Sequence, residues 1–109
     1  MGKVQKNKFD ISGRVLFAGQ PVSFRTKSGK EILKRVLVLE CWVNDGGKSY
    51  KQEVPFDYVN KNMPLLDNVR IGDWVVVDFN LRGRKNIQTD GHTVWYGNNE
   101  GTSCTVEHN

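Results

Sequence analysis

A chain of 109 residues with 38% hydrophobic and 26% charged side chains has room for one domain with an ordinary core. A mean hydropathy of -0.54 and no apolar run near the ~20 residues of a spanning helix argue against a membrane protein. Lys and Arg outnumber Asp and Glu by 16 to 12, and the excess is lopsided: residues 1–51 carry eleven basic and four acidic side chains, residues 52–109 five and eight.

A basic half of that kind points to a polyanion partner, because Lys and Arg beside phosphates release condensed counterions. An ordinary solvated surface is the alternative. The start, MGKVQKNKFD, has charge but no apolar segment behind it, so no secretory signal is expected. Two cysteines, Cys41 and Cys104, make no disulfide framework, and the expectation is a reduced, cytoplasmic protein.

Residues 1–8, with Lys3, Lys6 and Lys8, are expected to form a flexible basic arm ahead of a single domain over residues 9–109. From Phe9 the apolar period is two, the signature of strands. Phe9, Ile11, Gly13, Val15 and Phe17 alternate with Asp10, Ser12, Arg14 and Leu16 in a first strand. Phe9 and Phe17 are expected in the core, and Gly13 at a bend such as a barrel corner. Ala18-Gly19-Gln20-Pro21 interrupts this strand, which residues 22–27 resume.

After a turn at Ser28-Gly29, residues 31–43 place Leu37, Leu39, Cys41 and Val43 on one face. Lys34, Val36, Val38, Glu40 and Trp42 lie on the other. Asn44-Asp45-Gly46-Gly47 is a hairpin signal, since Gly and Asn accept the positive φ that tight turns demand. A third strand over residues 49–56 contains Pro55, which marks an edge or a strand end. Residues 57–68 hold the one helix expected, cut short by Pro64.

A fourth strand over residues 74–82 turns Val75, Val77, Phe79 and Leu81 inward. A fifth comes from residues 93–96, residues 103–107, or both. Three strands, a short helical link and two strands predict an all-β, five-stranded barrel of the OB type with a short helix between strands 3 and 4. An SH3-like barrel is the structural competitor.

Tyr50-Lys51-Gln52-Glu53-Val54-Pro55-Phe56 resembles the third-strand motif of bacterial single-stranded DNA-binding proteins, Trp-His-Arg-Val-Val-Leu-Phe. Residues 71–85, Ile-Gly-Asp-Trp-Val-Val-Val-Asp-Phe-Asn-Leu-Arg-Gly-Arg-Lys, look like that family's Lys-Gly-Ser-x-Val-x-Ile-x-Gly-x-Leu-Arg-Thr-Arg-Lys segment. Ile11-Ser12-Gly13-Arg14-Val15 is similar to its Gly-Arg-Leu start. The whole chain also looks like a group of short OB-fold relatives of that family, some of them phage-encoded.

The resemblance implies an OB fold that stacks bases on aromatic rings and assembles into homo-oligomers. It puts Tyr50 and Phe56 in the places of two stacking rings, Trp42 near a third, and Arg82, Arg84 and Lys85 on the family's basic run. Asn86 stands where the family has a further tryptophan, so that platform is lost or moved to Trp95 or Tyr96. The family's glycine-rich linker and acidic, Phe-ending recruitment tail have no counterpart here, where the sequence ends Thr-Val-Glu-His-Asn.

Stacking needs exposed flat side chains beside cations. Trp42, Tyr50, Phe56 and Trp95 are the candidate platforms, each with packing as its alternative, and Trp74 is assigned to closing a barrel end. Arg25, Lys27, Lys30 and Lys34, with Arg35, surround the first hairpin, and Arg82, Arg84 and Lys85 the last. In an OB fold both loops border the ligand groove.

The expected function is binding of single-stranded DNA with little sequence preference, in replication, recombination or repair. The expected assembly is a homo-oligomer, most simply a dimer. An RNA-binding OB fold and an OB or SH3-like protein-interaction scaffold are the alternatives. No enzyme, metal or cofactor is expected: His92, His108, Cys41 and Cys104 lack the spacing of a zinc site, and no phosphate loop or catalytic set appears.

Overall fold

The alternation of apolar and polar residues builds strands over most of the chain. The computed structural model describes residues 2–26 and 28–108. It contains β1 (Phe9–Ala18), β2 (Val22–Arg25), β3 (Glu31–Asp45), β4 (Lys48–Val59), β5 (Trp74–Ile87) and β6 (Thr93–Val106), with a 3-10 helix, Asn60–Leu66, between β4 and β5. Five strands close into a barrel in the order β1-β5-β6-β4-β3, with β3 returning to β1, and β2 lies alongside β3 as an extra strand. This is the connectivity of an OB barrel.

Gly13 makes the corner. Up to Arg14, β1 pairs with β5; from Arg14 onward it pairs with β3. At that crossing a Cβ on residue 13 would stand 2.6 Å from the Glu40 carbonyl oxygen and 2.9 Å from Cys41 Sγ, so only glycine lets the backbones approach. The register then shifts between Val15 and Phe17. That bulge turns Phe17 out of the barrel to 50% exposure, against the expectation that it packs inside. Phe9 also lies at the surface, stacked at 5.7 Å on the half-buried Phe79.

Past Pro21 the chain resumes pairing with β3 as β2, from Val22↔Lys34 to Arg25↔Glu31, a strand added beside the five of the barrel. The β3–β4 hairpin is long, running from Lys34↔Val59 to Asp45↔Lys48. It turns through Gly46 and Gly47 at φ +62° and +86°, the positive values a two-residue turn requires. The strand expected to end at Phe56 continues to Val59, and Pro64 confines the following helix to the 3-10 form. Pro55 lies where β4 has β3 as its strand neighbour on one side only, as its missing donor requires.

Both candidate segments of the last strand belong to β6, which pairs with β5 from Val75↔Val106 to Ile87↔Thr93. One extra residue on β6, Thr102, separates Ser103, opposite Asp78, from Gly101, opposite Phe79. The barrel is completed between β4 and β6 by a single parallel pair, Asp57↔Glu100. Inside are Val15, Leu37, Leu39, Cys41, Phe56, Tyr58, Leu66, Val69, Val75 and Val77.

Candidate nucleic-acid interface

The first and last hairpins of the barrel flank a groove of about 680 Å³. One wall is β2 with the start of β3, carrying Val22, Phe24, Ile32 and Lys34. The other is the β5–β6 hairpin, carrying Arg82, Arg84, Tyr96 and Asn98. Asp57, Val59 and Glu100 lie between them. A second depression, lined by Pro55, Leu81 and Asn99, shares Asp57, Arg82, Gly97 and Asn98 with it, so the two are continuous. The pleat explains the lining: Val22 pairs with Lys34, Arg84 with Tyr96 and Arg82 with Asn98, and paired residues share a face.

Each wall offers an aromatic ring with a cation above it. Lys34 Nζ stands 5.3 Å from the Phe24 ring centroid, and the Arg84 guanidinium 5.5 Å from that of Tyr96. Of the three cations that line the groove among the described residues, two are already engaged by carboxylates. Lys34 Nζ lies 3.5 Å from Asp57 Oδ1. Arg82 donates to both Glu100 oxygens, at 3.1 and 3.4 Å. Among the described residues Arg84 has no carboxylate partner. Asn98 Nδ2 donates to Asp57 Oδ2 at 2.9 Å and fixes that carboxylate from the β6 side.

Of the residues expected from the sequence, the structure brings Lys34, Arg82 and Arg84 into the groove. Phe56 is a correction. It pairs with Leu37 on the inward face, is 1% exposed and packs edge-on against Phe79 at 5.2 Å, so no base can reach it. Trp95 is 73% exposed but lies in register with Lys85, on the face of the hairpin opposite the Arg84–Tyr96 pair. Both residues therefore point away from the groove, and Tyr96, 46% exposed, takes the place assigned to Trp95. The extra residue at Thr102 sets this facing, because a one-residue slip inverts residues 93–101, Trp95 and Tyr96 among them, relative to residues 103–106.

Trp42 is on the same face of β3 as Lys34, 64% exposed, eight residues further along, or about 26 Å at the ~3.3 Å rise of a strand. Its neighbour Lys51 reaches Glu40 at 4.0 Å. Tyr50 pairs with Val43, on the opposite face of that hairpin from Trp42. Arg25 pairs with Glu31 beside the wall but outside the lining, and Lys30 lies exposed in the turn. Lys27 lies outside the described residues. Trp74 opens β5 opposite Arg14 and remains exposed rather than covering the barrel end.

Arg35, counted with the basic hairpin, is a buried structural residue. It donates to the carbonyls of Gly19 and Met63 at 2.9 and 3.3 Å, and to Asp67 Oδ1 at 2.8 Å. Phe24, Val22 and Asn98 were missed by sequence reasoning. Phe24 had a signal: alternation in Val-Ser-Phe-Arg separates Phe24 from Arg25, so only one of them can share a wall with Lys34.

Neither cysteine is a reactive thiolate, since burial pushes both thiols up. Burial also pushes up the Tyr58 hydroxyl, which donates to the Ser103 carbonyl at 2.8 Å. The Asp90 carboxyl, at the exposed β5–β6 tip, is held low by the His92 amide, which donates to it at 3.0 Å, and by the His92 ring.

A family model described as a domain of unknown function, DUF3127, matches residues 9–102. No curated protein matches the chain by sequence. Among solved structures, the Plasmodium falciparum SSB complex with ssDNA is similar in fold, with a TM-score of 0.57 at 18% identity, covering 99% of this chain and 100% of that one.

Proposed function

The chain belongs to the DUF3127 family, and within it we propose that this protein binds single-stranded DNA along the groove between β2–β3 and β5–β6. The observation that carries the reading is the pair of ring–cation stacks, Phe24–Lys34 and Tyr96–Arg84, on the two walls of one groove. Tyr96 is exposed and Phe24 half-buried, and such rings hold bases regardless of sequence, at ~1–3 kcal/mol per stacked base. Arg84 on the β5–β6 wall, with Arg25 beside the β2–β3 wall and Lys30 in its turn, supplies charge for the phosphates. The likeness of fold to an SSB complex with ssDNA supports the same ligand class. Trp42 extends the surface along β3.

In this reading the protein acts on single strands in replication, recombination or repair, in the cytoplasm, as a binder rather than an enzyme. Homo-oligomerisation, most simply a dimer, is part of it. Ile87 and Trp95 are exposed apolar side chains on the reverse of the β5–β6 hairpin, a face that a second copy can cover without blocking the groove. The test is a fluorescence titration with oligo-dT over a salt series, with duplex DNA and oligo-U as controls. Tight binding at low salt, steep weakening with salt and preference for the single strand over the duplex are expected. Absent binding at low salt refutes the reading.

A further inference from the structure

The groove that this reading assigns to single-stranded DNA has an unusual floor for a phosphate channel. Asp57 and Glu100 lie at its centre, facing each other as the pair that joins β4 to β6. Their side chains are 18% and 25% exposed. The contacts they make use Asp57 Oδ2 for Asn98 Nδ2, Asp57 Oδ1 for Lys34 and both Glu100 oxygens for Arg82. An ionised carboxylate has about four acceptor positions, so each keeps capacity toward the groove, and Asn98 adds its carbonyl oxygen.

A phosphate placed on this floor would meet two carboxylates and two cations already neutralised by them. Among the described residues lining the groove, Arg84 is the cation without a carboxylate, and it stands on the β5–β6 wall over Tyr96. We infer that the strand lies with its phosphates along the rim and its bases inward, and that the acceptors of Asp57, Asn98 and Glu100 favour bases bearing an exocyclic amino group. Cytosine presents N4–H₂ as a donor where thymine presents the O4 acceptor, and Asp and Glu accept from that amino group. The stacking rings tolerate either base; the floor does not. The preference is therefore for cytosine over thymine. It is modest, because both carboxylates retain some contact with water.

This inference rests on the single-strand reading, and its test separates the two. Oligo-dC and oligo-dT of equal length are titrated against the full chain at one salt concentration and pH 8. The same pair is titrated against Asp57→Asn/Glu100→Gln. The unaltered chain is expected to bind oligo-dC about five- to tenfold more tightly than oligo-dT. In the double variant that ratio falls toward one while oligo-dT binding tightens, since the charge opposing phosphates has gone. Equal affinities in the unaltered chain, a preference for oligo-dT, or a ratio unchanged in a folded double variant would overturn the inference and leave single-strand binding standing. Binding of neither oligonucleotide at low salt overturns both.

Discussion

Adjacent residues on one hairpin provide the sharpest test of which surface binds. Tyr96 and Trp95 are chain neighbours with opposite facings: Tyr96 lines the groove beneath Arg84, and Trp95 is paired with Lys85 on the reverse. Tyr96→Ala removes a stacking platform of ~1–3 kcal/mol, equivalent to roughly five- to 150-fold in Kd. It also releases Arg84 from a cation–π contact of about 0.5–1 kcal/mol at an exposed site, a small effect on folding. Trp95→Ala removes the larger and more exposed ring from the same hairpin, with a similar effect on β propensity, yet should change the affinity less than about twofold. Oligonucleotide titrations of both variants measure the contrast, with light scattering to record the oligomeric state. Equal weakening by the two, or weakening by Trp95→Ala alone, would refute the assignment of the groove.

Phe56→Ala should destabilise the fold by ~3–5 kcal/mol, because it empties a ring-sized volume between Leu37 and Phe79. Urea denaturation measures this, and a Kd unchanged per folded molecule would confirm the ring as packing. Arg35→Met should cost about 1–3 kcal/mol by leaving the buried carbonyl of Gly19 without its donor, again read by denaturation and again without a change in Kd. Stability should decline under alkaline conditions. Burial raises the folded-state values of Cys41, Cys104 and Tyr58, so their contribution is complete below the unfolded values, near ~8.5 for thiols and ~10 for the phenol. It is lost as pH rises above those values toward the folded ones; urea midpoints at pH 8 and pH 11 test the sign.

The parts of this fold legible in the sequence are those governed by local rules. Leu37, Leu39 and Cys41 alternate into the core, Gly46-Gly47 makes the hairpin turn, and Gly13 sits where two strands cross. What was not legible depends on counting across a sheet. The bulge at Thr102 decides whether Trp95 or Tyr96 faces the ligand, and the one near Leu16 decides that Phe17 leaves the core; neither has a sequence mark. Phe56 resembled a stacking ring by its place in a motif, but its fate was fixed by lying opposite Leu37. The charge pattern misled in a similar way. Lys34 and Arg82 looked like free cations because their carboxylates, Asp57 and Glu100, are far away in the chain.

Where β4 meets β6, the barrel wall has one backbone pair, Asp57↔Glu100, while every other junction is a backbone ladder. Side-chain bonds help that pair, from Asn98 to Asp57, from Asn99 to the Pro55 carbonyl and from Tyr58 to the Ser103 carbonyl. A cylinder with one thin join opens there first, and the amide protons flanking it should exchange with solvent sooner than those of the β3–β4 or β5–β6 ladders. The groove straddles that join, with Pro55, Asp57 and Val59 on one lip and Asn98, Asn99 and Glu100 on the other. An occupant touching both lips raises the free energy of opening by RT ln(1 + [L]/Kd). The ligand thereby becomes a clasp, and slowed exchange on the two lips reports occupancy through the wall of the barrel.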